Sequence, residues 1–184
     1  GYDVHELAEK GSFEETAFLL LHGHLPTKGE LADFNRTLAA ERSVPDFVYQ
    51  AMAVVPDNAH PMDQLKVGVQ ALAPSDLDYD ADPLDHDANV RKAVRLTAKM
   101  GALVANGWQD VIQPDPELNT AGNFLYMLNG QKADDYTVRT IDTSLVLYAE
   151  HGFNASTFCA RVTVSSLSDL YSGTVSAIGT LKGK

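Results

Sequence analysis

The sequence predicts an all-α, multi-helical protein with little or no sheet, and three observations carry that prediction. Apolar residues recur at spacings of three and four through most of the chain. No segment shows the period-two alternation of a half-buried strand. Helix-start signatures stand directly before several of the apolar runs.

Each element can be justified in order. Asp3 to Lys10 reads as a short helix closed by Gly11. Ser12-Phe13-Glu14-Glu15 is a capping box, in which the Ser12 hydroxyl meets the Glu15 amide and the Glu15 carboxylate reaches back. It opens the run Phe13, Ala17, Phe18, Leu20, Leu21, which Gly23 ends. Thr27-Lys28-Gly29-Glu30 is a second capping box, followed by Leu31, Phe34 and Leu38 on one face. Pro45 suits the first turn of a helix running to about Val55. Pro61 starts another, carrying Met62, Leu65, Val69 and Leu72.

Residues 75–89 then carry Asp76, Asp78, Asp80, Asp82, Asp85 and Asp87, and read as a solvated polar loop. The helical pattern resumes from about Asn89 to Val111, until Pro114 and Pro116 break it. Asn119 caps the segment of Phe124, Leu125, Met127 and Leu128, closed by Gly130. One helix spans about Asp134 to Ala149, and a last one runs from about Ser156 towards Leu181. Small and β-branched residues in that last helix predict burial on several sides. There is no internal repeat, so residues 1–184 are expected to form a single helical domain.

Composition narrows the function. The formal net charge of -11 argues against a nucleic-acid surface, because neutralising phosphates needs a basic face. No apolar run reaches the ~20 residues of a membrane span. Gly1-Tyr2-Asp3-Val4 has neither the basic flank nor the apolar core of a signal peptide. A lone Cys159 fits a reducing, cytoplasmic setting, and it reads as a small core residue. The alternating aspartates fail as a calcium loop, since Ala81 stands where a glycine is needed and Asp87 where a bidentate Glu is needed. His22 and His24, either side of Gly23, are too sparse for a metal site. His60-Pro61-Met62-Asp63 reads as a helix start, with Asp63 as a capping group.

One stretch concentrates polar chemistry at a helix break: Tyr148-Ala149-Glu150-His151-Gly152-Phe153-Asn154-Ala155-Ser156-Thr157-Phe158. A His at a helix end, with one ring nitrogen fixed by the backbone, can donate from the other to a carbonyl or oxyanion. Asn154 adds a donor and an acceptor. Ser156 and Thr157 can cap the next helix, whose amides favour an anion. By residue types alone a plain helix junction is the better reading, because helix junctions use these residues routinely.

Several segments resemble the citrate synthase family, which includes the 2-methylcitrate synthases, in the family's own order. Gly1-Tyr2-Asp3-Val4 with Glu6-Leu7-Ala8 resembles "GYDI-x-ELA", and Phe13-Glu14-Glu15 with Leu19 to Thr27 resembles "FEE…LLLxGxLPT". His60-Pro61-Met62-Asp63 matches "HPMD", and Asn123 to Leu128 resembles "NFLYML". Ala149 to Phe158 matches "AEHxxNASTF", the most specific of these, and Ala177 to Gly183 resembles "AIGALKG".

The resemblance implies an almost wholly helical large domain that dimerises, and condensation of oxaloacetate with an acyl-CoA. No metal and no cofactor are implied; the coenzyme A thioester is a substrate. The implied substrate-binding residues are His151, which hydrogen-bonds oxaloacetate and polarises its carbonyl, and Asn154, which lines the same pocket. In the family, "LKG" is soon followed by an "HGGAN" loop whose His assists enolisation. A second catalytic His, the Asp base and the substrate-binding Arg residues lie further on.

By that resemblance no catalytic residue falls within this chain; they are expected just after Lys184. The 184 residues are therefore expected to be a truncated large domain, inactive alone, because enolisation needs a general base. Three functions follow: a citrate synthase parent, a 2-methylcitrate synthase parent using propionyl-CoA, or a non-catalytic helical dimerisation or ligand-binding module. A homodimer is expected, because the helices over 60–73, 87–111 and 134–184 offer more apolar face than one layer covers.

Overall fold

The computed structural model describes residues 1–150 and 152–183. Among them the chain forms ten α-helices, one 3-10 turn and no strand. The helices are α1 (Val4–Lys10), α2 (Phe13–His22), α3 (Lys28–Ala40), α4 (Asp46–Ala53), α5 (Pro61–Leu72), α6 (His86–Asn106), α7 (Thr120–Asn129), α8 (Asp135–Ala149), α9 (Ala155–Ser165) and α10 (Leu170–Thr180).

Local chemistry sets most of these boundaries. Both predicted capping boxes form, Ser12 with Glu15 and Thr27 with Glu30. Asn119 and Asp134 cap α7 and α8 as expected. Gly23 and Gly130 close α2 and α7. His60 caps α5 by accepting the Met62 amide on Nδ1 at 3.1 Å. Asp63 does not cap; it pairs instead with Lys66 and, across the fold, with Lys182. Pro45 is the cap residue of α4 and lies just outside the first turn.

Helix α6 is the organising element. One cluster of buried side chains joins it to α2 and α3 through Phe18, Phe34, Leu38, Val94 and Ala98. A larger cluster joins it to α4, α5, α7 and α10 through Val48, Val69, Leu103, Met127, Tyr171 and Ile178. A Cβ on Gly68 would sit 2.6 Å from Met52 Sδ, so the glycine leaves room for the Met52 side chain to pack directly on α5. Phe18 also stacks with His22 and meets Phe34 edge-on, which accounts for His22 as part of an aromatic group.

Further expectations are corrected. The last helix is two helices: Leu167 takes a left-handed φ of 64°, and Asp169 starts α10 by accepting the Ser172 amide. Helix α9 buries none of its residues, with Phe158 and Val162 exposed and Cys159 only half-buried, so burial on several sides does not extend to it. Helix α6 begins at His86, because Asp85 caps it, and ends at Asn106, where the Asn106 amide and carbonyl bind the main chain of Ile112. The aspartate loop is not merely solvated, because Asp76 is buried and both Asp76 and Asp78 are paired with arginines.

Candidate active-site corner

The α8–α9 junction is built by residues on both sides of His151, which lies outside the described residues. Glu150 leaves α8 in an extended conformation, and its Oε1 accepts the Gly152 amide at 2.6 Å. Gly152 has a φ of 84°, a left-handed conformation that a side chain would strain. This ends the helical path of α8 before α9 begins, and Phe153 is fully exposed.

Asn154 is the cap of α9. Its Oδ1 accepts the Thr157 amide and, at 2.9 Å, the Ser156 hydroxyl. Capping therefore falls to Asn154 rather than to Ser156 or Thr157. The acceptor half of the carboxamide is occupied, and Nδ2 has no partner among the described residues. Its orientation is fixed by the cap, so the free N–H pair is presented in a defined direction beside the positive end of α9. Such a corner can donate to a carboxylate or to a carbonyl oxygen that gains charge during attack.

A second feature abuts the corner. A groove of about 670 Å³ lies among α6, α7, α8 and α10. Leu96, Met100, Val104, Phe124, Leu145 and Tyr148 line it, and Tyr148 is also the penultimate residue of α8. Its walls are almost wholly apolar, so it suits packing rather than proton transfer.

The polar cluster that the sequence reading missed lies between α6 and α10. Arg95 Nε and Nη2 donate to Asp76 at 2.7 and 2.6 Å, and Nη2 also reaches Asp78. Arg91 donates two bonds to Asp78, at 3.0 and 2.6 Å. The Tyr171 hydroxyl donates to Asp76 at 2.5 Å. Arg91 and Arg95 hold the Asp78 carboxyl well below its usual range. Burial works against ionisation of Asp76, but Arg95 and Tyr171 outweigh it and keep its pKa low. Burial, together with Asp76, pushes the Tyr171 phenol far up, so it stays a donor. A signal was available: aspartates two apart, and arginines at i and i+4 on one helix face.

Comparison with known proteins follows the geometry. The family model described as "Citrate synthase, C-terminal domain" matches residues 1–184. The chain is 46% identical to a citrate synthase of Haloferax volcanii, over all of this chain and 50% of that protein. It is 43% identical to a 2-methylcitrate synthase of Mycobacterium tuberculosis, over all of this chain and 47% of that protein. Thus the chain spans about half the length of the curated relatives it matches. Among solved structures, a citrate synthase from Pyrobaculum aerophilum superimposes with a TM-score of 0.92 at 35% identity, covering all of this chain and 48% of that one. Another, from Thermoplasma acidophilum, solved as a ternary complex with carboxymethyl coenzyme A and oxaloacetate, superimposes with a TM-score of 0.90 at 30% identity, over all of this chain and 49% of that one. With the match running from the first residue to the last, and with the same helical fold, the chain belongs to the citrate synthase family.

Proposed function

We propose that this chain is the oxaloacetate-contacting part of a citrate synthase, which condenses oxaloacetate with acetyl-CoA to give citrate and coenzyme A. The observation that carries this reading is Asn154, whose carboxamide is half spent on capping α9 and half free to donate. In this reading His151, three positions earlier in the sequence, is the donor that the family resemblance implies for the keto group, and charge developing on that oxygen is stabilised by such donors. The reacting acyl carbon must lose a proton to a general base. The corner supplies donors rather than that base, so these 184 residues alone are inactive in this reading. No metal and no cofactor take part. The relatives include both citrate and 2-methylcitrate synthases, so propionyl-CoA is the second reading. Turnover of the two thioesters by the intact enzyme separates them, and a strong propionyl preference would overturn the first.

The groove supports a homodimer, because its apolar walls carry Tyr148, which is 80% exposed. The lone, unpaired Cys159 is compatible with a reducing compartment such as the cytoplasm. Two substitutions separate cap from ligand. Asn154→Asp keeps the cap oxygen and removes the donor, so thermal stability is expected to hold while calorimetric oxaloacetate binding falls at least tenfold. Asn154→Ala loses both, at about 1 kcal/mol of stability. Undiminished oxaloacetate binding by Asn154→Asp in the intact enzyme would sink the assignment.

A further inference from the structure

The turn that leads from α8 to Asn154 has little packed on it. Glu150, Gly152 and Phe153 are all exposed. A Cβ on Gly152 would meet nothing within 4 Å, and α9 buries none of its residues. Side-chain burial therefore does not decide where the Asn154 carboxamide points, and hydrogen bonds must.

Those bonds run in series. Glu150 Oε1 accepts the Gly152 amide at 2.6 Å, short as charge-assisted bonds are. The carbonyl of the same glycine accepts the Asn154 amide at 3.1 Å. Asn154 Oδ1 then accepts the Thr157 amide in the first turn of α9. The link passes through one glycine, at a φ of 84° that side chains rarely adopt.

The charge of Glu150 is otherwise out of place. In the proposed reading the corner receives a dicarboxylate, and a carboxylate four positions from Asn154 repels it. Attraction of the substrate does not account for an acid here, whereas the bond to Gly152 does.

We infer that Glu150 is a positioning residue for oxaloacetate binding: its carboxylate holds Gly152, and through the Gly152 carbonyl it sets the backbone of Asn154 and the direction of the Nδ2 donor. This role rests on the proposed oxaloacetate-binding reading and adds to it a residue that acts through Asn154. It needs an acceptor oxygen at position 150 and no charge.

The test uses the intact enzyme, with oxaloacetate affinity measured by calorimetry and amide exchange over residues 148–158 followed by mass spectrometry. Glu150 is exposed, so its variants should fold, as circular dichroism checks. Glu150→Ala should speed exchange and weaken oxaloacetate binding on the order of tenfold, about 1.4 kcal/mol. Glu150→Gln keeps an acceptor oxygen and removes the repulsion, so it should bind at least as tightly as the unmodified enzyme and keep its slow exchange. In an Asn154→Asp background Glu150→Ala should cause no further loss, because both changes act through one donor. Unchanged exchange in Glu150→Ala, Glu150→Gln as weak as Glu150→Ala, or a full additional loss in the Asn154→Asp background would each overturn the role. An unmodified enzyme that binds no oxaloacetate overturns the citrate synthase reading and this role together. An enzyme that binds it equally tightly before and after Glu150→Ala overturns this role alone.

Discussion

Replacing Arg95 with methionine tests the polar cluster that joins the aspartate loop, α6 and α10. Methionine keeps much of the side-chain volume but removes three hydrogen bonds to carboxylates. The Asp76 side chain is 0% exposed, so it would remain buried, holding only the Tyr171 hydroxyl and the Asp78 amide. Removing one partner of a buried pair costs about 3–5 kcal/mol, because the remaining charge is uncompensated. For 184 residues the unfolding entropy is about 0.4 kcal/mol per kelvin, which converts that cost to a fall in Tm of about 8–13 °C. The assay is thermal unfolding followed by circular dichroism at pH 7 and again near pH 5.

The pH comparison tells charge from packing. Without Arg95, burial dominates at Asp76 and raises its folded pKa above the unfolded value of about 3.9. A carboxyl raised in the folded state imposes its cost above the folded pKa, and the cost is relieved as pH falls through it. The gap between variant and parent should therefore narrow on acidification. A gap that stays constant between pH 7 and pH 5, or a Tm loss under about 3 °C, would refute the argument that Asp76 depends on Arg95.

Other outcomes follow from the same contacts. In the unmodified chain Asp76, Asp78 and Asp63 all have lowered pKa values, Asp63 at about 2. Their contribution is therefore complete above the unfolded value of about 3.9 and is lost as pH falls below it; a urea midpoint that does not drop between pH 5 and pH 2.5 would contradict this. Gly173→Ala puts a Cβ 2.7 Å from Val164 Cγ1, where a β-branched side chain cannot swing away, and should cost about 1–2 kcal/mol in urea unfolding after the gain in helix propensity. Leu103→Ala, at a position 1% exposed, should cost about 2–5 kcal/mol by the same measurement. Leu145→Glu on the groove should leave the fold intact by circular dichroism and halve the mass by light scattering, whereas an unchanged mass would remove that groove from the dimer interface.

Read alone, the sequence determined the helical class, the two capping boxes, the starts of α7 and α8, and the position of the α8–α9 corner. Each of these depends on residues within about four positions of one another, where side chain meets backbone inside a single turn. Resemblance in short motifs was enough to name the family for the same reason: the motifs are local. The break at Leu167 was less legible, because Asp169 and Ser172 form a cap only once the preceding turn has bent away.

Tertiary structure alone decided which polar groups meet. Asp76 and Tyr171 are 95 positions apart, and Phe13 and Asp142 are 129 apart, so no spacing rule predicts either bond. It also turned the aspartate loop from a solvated excursion into a clamp. It buried the Lys92 side chain between α6, the aspartate loop and the α9–α10 turn. Burial is a property of what packs on the other side, and a carboxylate or ammonium becomes costly or useful only when that packing removes it from water.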